Sequence, residues 1–576
     1  MAISNALTSA LSGLLNQRNG LDVVGHNVAN ANTPGYSRQR ADLTASLPTV
    51  YPWGAVGRGV DIRGIERIVD EFLLTQQRDS LSQLKSDETL ASAYNRLEAI
   101  FNELSENDLS TTFNRFYNAL QDLSVNVEGE ATRSVVVQQA LALRDMVNVT
   151  YTAMRDFYTQ LNNDVDAQVE KVNELLDEVA DLNRQISTTE GAGQITANDL
   201  RDRRDQKLAS LAELVDITAI EQKSGAVNVT TRGMPLVLLT HSFHLTTQLE
   251  VTNGLPTTEV RFLEDNSPFM ATQGKLAATI DVRDRVLAGY IGDLDKFAAE
   301  LIFEFNRIHS VGTGAVTGTS VVSENAAIDP SVTLDQLDLG FTPAGNTFSV
   351  QNGSITVAIV ALGSGQISEI TVPVDLDGIG GNDDSLQDFV ANFNAAVPAG
   401  TVTASLDASG RLRFDSASPA TTGFFFSHDS SGLLATMGVN TFWAGHDAAT
   451  MDVNSSVLAD ERLIATGRTL APGDTDNLLE LLALRDREVA DGGTKTFEDS
   501  YRAIVGRLGT EGLRTNDRLA VRNDIVMRLE NQRQAISGVS LDEEMTKMIQ
   551  FQRAYQAAAR VISVSDIMLD TLINRT

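Results

Sequence analysis

Apolar residues recur at alternating steps of four and three at both ends of this chain. Near the N-terminus they are Ile3, Leu7, Ala10, Leu14, Leu21, Val24 and Val28, with Gln17 filling one step. That spacing is the seam of a coiled coil, so a helix is predicted from the start of the chain to about residue 29. Asn30-Ala31-Asn32-Thr33-Pro34-Gly35 closes it. Proline disfavours helix in the residue before it, and Pro-Gly suits the two central positions of a type II turn. Tyr36 to Thr44 reads as extended chain, and Gly57 to Ile62 as a short strand leading to a helix near Val69.

The C-terminal end repeats the pattern through Leu541, Met545, Met548, Gln552, Tyr555, Ala559, Ile562, Asp566, Leu569 and Ile573. Asp542, Glu543 and Glu544 suit the positive end of the helix dipole. At 1.5 Å per residue the helix is roughly 50 Å long. In this register Ser565 falls on the solvent side. A seam of that length does not stay in water alone. Spacing does not reveal whose helix it meets, so pairing of the two ends, pairing with other copies, or both remain open.

Between the ends the period changes twice. Leu161, Val165, Gln168, Val172, Leu175, Val179, Leu182 and Ile186 form another helical seam, and Phe497 to Ile536 a further helical run. Residues 216–270 alternate in short apolar runs broken by Gly and Pro. Residues 345–425 are rich in Thr, Ser, Gly and Val, with a short helix from Ser385 to Val397. Asn352-Gly353 is predicted to turn a hairpin there, and Ser409-Gly410 a second one. The fold class expected is α+β and multidomain: a terminal helical coiled coil, a helical body and β-rich inserts in mid-sequence. The expected division is 1–69 with 538–576 as an assembly domain, 70–215 with 455–537 as helical body, 216–311 as a β-rich and helical segment, and 312–454 as a β-rich surface insert.

Charge sharpens this division. The net charge is −31. Residues 1–45 carry a net of +1 and residues 538–576 a net of −1, so the middle holds the whole excess. Nearly neutral ends pack against copies of themselves without strong repulsion, while an acidic middle keeps the chain dispersed. No Lys/Arg-rich run offers a nucleic-acid surface, and no apolar run is long enough for membrane insertion. The first residues lack the basic start and apolar stretch of a secretory signal, which fits either a cytoplasmic chain or export without a cleaved signal.

Candidate chemistry is sparse. There is no cysteine, so thiolate nucleophiles and Cys metal sites are excluded. His241 and His244 have His-x-x-His spacing, but in a strand this puts them on opposite faces. Asp375-Leu-Asp377-Gly-Ile-Gly-Gly-Asn382-Asp383-Asp384 is the best calcium candidate, although its spacing is not that of an EF-hand and Asp and Gly are ordinary turn formers. Met545 and Met548 read as packing surface. No acid pair stands in a recognisable glycosidase context. The expectation is a protein without cofactor, resident metal or catalytic site, and not an enzyme.

Asn27-Val-Ala-Asn30-Ala-Asn32-Thr33-Pro34-Gly35-Tyr36 resembles the signature of flagellar rod, hook and hook-associated proteins. Its extension Tyr36-Ser37-Arg38-Gln39 resembles the version found in the FlgK family, the first hook-associated proteins. Asp199-Leu-Arg-Asp-Arg-Arg-Asp205-Gln206, Gly438-Val-Asn440-Thr-Phe442-Trp443-Ala-Gly445, Leu541-Asp542-Glu543-Glu544 and Phe551-Gln552-Arg-Ala554-Tyr555 are similar to further blocks of that family. The resemblance implies a structural subunit of the hook–filament junction, placed outside the cell in the flagellum. It implies export through the flagellar type III apparatus with a chaperone on the C-terminal region. The implied partners are other copies of the chain, the hook protein below and the third hook-associated protein above. In this scheme Leu7, Leu14, Leu21, Val28, Leu541, Met548, Tyr555, Ile562 and Leu569 are the assembly interface, and an intramolecular hairpin core is the alternative for the same residues. A hook or distal-rod protein, a flagellum-associated glycan hydrolase and an adhesin are the rival readings; Tyr36-Ser37-Arg38-Gln39 argues against the first.

Overall fold

The computed structural model describes residues 2–101, 108–191, 195–252, 254–342, 347–379 and 383–574 of the chain. The fold is α+β and multidomain, dominated by long helices with small antiparallel sheets between them. Two compact units are formed from interleaved segments. The first comprises residues 1–93, 159–283 and 513–576, and the second residues 94–158 and 284–512. Among the described residues no helix is long and apolar enough to cross a membrane.

In the first unit the N-terminal helix (Ala2–Ala29) and the C-terminal helix (Leu541–Asn574) lie side by side. Gly20 meets Phe551, and seven residues further along Asn27 meets Glu544, so the two helices run antiparallel in one register. Leu7, Leu14, Leu21 and Val28 are half-buried, and Ala10, Val23 and Val24 are buried. On the C-terminal helix Met548, Tyr555, Ile562 and Leu569 are half-buried, whereas Leu541, Met545, Gln552, Asp566 and Ile573 are exposed. The inner face runs instead through Glu544, Phe551, Ala558 and Ser565, one residue earlier at every second step. Ser565, expected in solvent, is 5% exposed. A polar side chain at Glu544 hid this register from an argument based on apolar spacing alone.

Four strands follow the N-terminal helix. β1 (Gln39–Ala45) pairs with β4 (Val60–Arg67), and β2 (Thr49–Tyr51) with β3 (Gly54–Val56) as a small hairpin between them. Beyond the helix Asn198–Leu214 come the sheet β5 (Thr218–Glu221), β6 (Val227–Thr231), β7 (Met234–Leu238) and β8 (His241–Ser242), then the hairpin β9 (Leu245–Thr252) and β10 (Leu255–Phe262). Val165, Val172, Leu175 and Val179 of the long helix Glu130–Gly191 pack on Val229, Leu236, Val237, Val260 and Phe262. The seam in this helix is therefore covered by a β layer.

Among the described residues the second unit holds an aromatic centre and a separate core in the insert. Phe116, Phe297, Phe305, Phe442, Trp443 and Phe497 belong to an aromatic cluster of tilted and edge-on contacts. The mid-sequence insert has its own core, including Ile355, Val357, Phe389, Phe393, Phe414 and Phe426. It is built from β11 (Ser320–Ala326), β12 (Gly353–Ala361), β13 (Gln366–Val374), β14 (Val402–Leu406), β15 (Arg411–Ser416) and β16 (Thr422–Asp429), with one helix at Leu386–Ala396. Its sheets run β13-β12-β16 and β11-β15-β14. Gly410, at a φ of 84°, turns β14 into β15 as predicted. Asn352-Gly353 turns nothing. Gly353 opens β12, and Asn352 Oδ1 accepts a hydrogen bond from the N–H of Leu376. The β12–β13 turn falls at Leu362–Gly365, where Gly365 supplies a φ of 69°.

Candidate assembly site at the paired termini

The motif residues after the N-terminal helix form a tight turn. Tyr36 N–H donates to Thr33 O at 3.2 Å, with Pro34 and Gly35 between them. Gly35 has a φ of 74°, and a Cβ on it would run into the side chain of Gln206, which itself donates to Pro34 O. Thr33 Oγ1 donates to Asn30 Oδ1 at 3.2 Å, and Asn30 Nδ2 donates to His26 O at 3.0 Å. Asn32, Thr33 and Pro34 are exposed.

The turn folds the following chain back onto Asn27, which is 1% exposed. Asn27 Oδ1 accepts from Tyr36 Oη at 2.7 Å and from Gln39 N–H at 2.9 Å. Its amide donates to Gln39 O and to Glu544 Oε2, both at 2.9 Å. All four hydrogen-bonding positions of this side chain are therefore used. Glu544 is fully buried, and Lys547 Nζ lies 2.7 Å from its other oxygen. Burial, then the negative charges of Asp199, Asp202 and Glu544, push the Tyr36 hydroxyl above the ordinary phenol range, so it stays a donor.

Ser37 and Arg38 tie the turn to two other elements. Ser37 N–H donates to Asp202 Oδ2 at 3.0 Å, and Arg67 reaches both Asp202 (3.0 Å) and Asp205 (2.6 Å). Burial raises the Asp202 pKa against the opposing pull of Ser37 N–H and Arg67. Gln39 Nε2 donates to Asp199 Oδ1 at 2.9 Å. Arg38 Nη1 lies 2.7 Å from Glu543 Oε2, and Arg38 N–H donates to Ser537 O at 2.8 Å. The N-terminal turn, the block at 199–206 and the start of the C-terminal helix thus form one polar knot. Asn27 and Glu544 hold its centre. In the sequence Glu544 stands out as a dipole-compatible acid and as the last residue of the Leu541–Glu544 block; its seven-residue step to Phe551 is the signal for the inner face.

The expected metal candidate has a different arrangement. Carboxylate oxygens of Asp375, Asp377 and Asp383 approach within 4.8 Å of one another. They accept the backbone N–H groups of Asp377, Ile379 and Gly378 in turn, while Asp384 accepts that of Asp375. These bonds shape the loop itself. Asn382 lies outside the described residues. His241 and His244 do not converge: His244 Nε2 is 2.8 Å from Asp177, and His241 stacks edge-on to Phe243.

Three family models match along the chain. Residues 7–36 match "Flagella basal body rod protein", residues 94–321 "Flagellar hook-associated protein FlgK helical domain", and residues 530–575 "Flagellar basal body rod FlgEFG protein C-terminal". The Escherichia coli protein named flagellar hook-associated protein 1 is 27% identical, over 99% of this chain and 100% of that protein. Its Bacillus subtilis namesake is 29% identical over 99% and 97%. Over nearly its whole length the chain is thus similar to flagellar hook-associated protein 1, and its residues 94–321 match the FlgK helical domain. A solved structure of the flagellar hook junction protein FlgK from Burkholderia pseudomallei is similar at a TM-score of 0.49 and 13% identity, covering 80% of this chain and all of that one.

Members of the FlgK family are structural proteins of the flagellum. The two rod-type matches cover the segments that pair here as antiparallel helices. The Gly438–Gly445 block also has a local structural reason. Asn440 adopts a φ of 52°, its amide donates to Ser310 O and Gly312 O, and Asn306 receives the N–H groups of Phe442 and Trp443.

Proposed function

We propose that this chain is a non-catalytic subunit of the hook–filament junction that polymerises through its paired terminal helices. It is exported by the flagellar type III apparatus with a chaperone on its C-terminal region. It meets the hook protein on one side and the third hook-associated protein on the other, outside the cell. One observation carries the reading. After the two helices have paired, the C-terminal helix still exposes Leu541, Met545, Ile549, Val564, Ile567 and Met568, each at least half open to solvent. Leu11 and Leu15 of the N-terminal helix are exposed as well, level with Arg560 and Gln556. On the C-terminal helix the residues fall in two exposed apolar patches, 541–549 and 564–568, separated on the same face by the exposed Gln552, Arg553, Gln556 and Arg560. Exposed apolar patches of this kind mark contact surfaces. The knot around Asn27 and Glu544 fixes the angle at which they are presented.

The candidate residues Leu7, Leu14, Leu21, Val28, Met548, Tyr555, Ile562 and Leu569 then support the pair from within, and Leu541 belongs to the outer patch at 541–549. A deletion strain tests the function. Cells lacking the gene should release flagellin monomers into the medium, and restoring the chain should restore attached filaments. Attached filaments in the deletion strain would refute the junction role.

A further inference from the structure

The β2–β3 hairpin and the residues leading into it are an apolar projection tied to the N-terminal helix. Leu47 is 86% exposed, Val50 79% and Trp53 76%. The chain has two tryptophans, and the other, Trp443, is buried at 1%. Trp53 stacks on Tyr51 at 5.0 Å with the rings 9° apart, and Tyr51 Oη accepts a hydrogen bond from Asn5 of the N-terminal helix. At the base of the hairpin Asn16 donates to Val60 O, and Ser12 Oγ accepts the N–H of Val60 at 3.4 Å. Among the described residues none covers the outer surface of Leu47, Val50 or Trp53.

The register of the terminal helices sets the height of this projection. Gly20 faces Phe551 and Asn27 faces Glu544, so Asn5 stands level with Asp566. The hairpin is thus at the level of Val564, Ile567 and Met568, which are 53%, 65% and 54% exposed. We propose that the Trp53 hairpin of one copy docks on the Val564–Met568 stripe of the next copy. This rests on the self-assembly reading above and names the contact that drives it. The partner is a second copy because both halves lie on one chain at one height, and both are exposed among the described residues. Made in one direction, hairpin of one copy to stripe of the next, the contact is head-to-tail. Such a contact repeats into a ring or a helix instead of stopping at a dimer. Tryptophan is among the residue types enriched at interface hot spots.

The absence of cysteine makes the test clean. Pro52→Cys places a thiol beside Trp53, and Ser563→Cys places one beside Val564; both positions are exposed. Cells co-producing the two single variants, differently tagged, are grown, and their detached flagella are treated with a short bismaleimide. A cross-linked dimer carrying both tags is expected, and neither variant alone should give one. Ala55→Cys replaces Pro52→Cys should that variant fail to enter flagella. A dimer from the hairpin variant alone would mean that hairpin meets hairpin and would overturn the proposal. So would the absence of dimer when both variants are present in the flagella, although self-assembly would stand. Absence of the unmodified chain from flagella would overturn the self-assembly reading itself.

Discussion

Gly20 lies against the ring of Phe551 so closely that a Cβ at position 20 would stand 2.8 Å from it. No other residue fits without moving the ring or the helix. Glycine inside a helix costs about 1 kcal/mol relative to alanine, so its presence here is explained by the close crossing. Gly20→Leu should push the terminal helices apart. Hydrogen exchange of purified protein should show faster exchange in residues 5–29 and 541–571, with 160–190 unchanged. Equal protection in variant and parent would mean that the crossing does not hold the pair.

Asn27 is the other fixed point of the pair. Asn27→Ala would leave Tyr36 Oη, Gln39 N–H and the buried Glu544 carboxylate without their partner. Each orphaned buried group costs about 1–3 kcal/mol, so a total loss of several kcal/mol is expected in the end pair. Limited proteolysis should cut the variant first near Arg38 and Arg40. A digestion pattern like the parent's would remove Asn27 from the centre of the knot.

Asp295 in the second unit gives a pH signature. Burial, then the charge of Asp447, push it up to about 7, against a hydrogen bond from Ala448 N–H at 3.2 Å. The folded chain therefore binds more protons than the unfolded chain between about pH 4 and 7, and stability contributed by Asp295 is lost as pH rises through that window. Asp295→Asn should gain on the parent across it, by on the order of 2 kcal/mol at about pH 8 and little near pH 4. Thermal melts at both pH values check this. A pH-independent difference would show that Asp295 is ionised throughout.

Much of this was legible from sequence. The terminal helices, the Pro34-Gly35 turn, the helix at residues 386–396 and the Ser409-Gly410 hairpin follow from spacing and turn chemistry. The inner face of the C-terminal helix did not, because two of its steps are Glu544 and Ser565, and apolar spacing cannot find polar residues that bury themselves by pairing. Asn352-Gly353 misled for a related reason. Its turn propensity was real, but the asparagine caps a strand entry through Leu376 instead of closing a hairpin. The polar knot joins residues about 160 and 500 positions apart, beyond the reach of any local pattern.

The same distinction between inner and outer face gives the decisive comparison. Ile562 is half-buried toward the N-terminal helix, whereas Ile567 is 65% exposed on the outer stripe. Ile562→Asp should loosen the monomer's own terminal pair and thereby confound folding with assembly. Ile567→Asp leaves the pair intact and places a carboxylate only where a neighbour would bury it, at a cost of several kcal/mol per contact. The measurement is filament retention by cells carrying Ile567→Asp, alongside the amount of chain exported and the monomer's melting temperature. Normal export, an unchanged melt and flagellin monomers in the medium are expected; normal filaments on these cells would contradict assembly through the outer stripe.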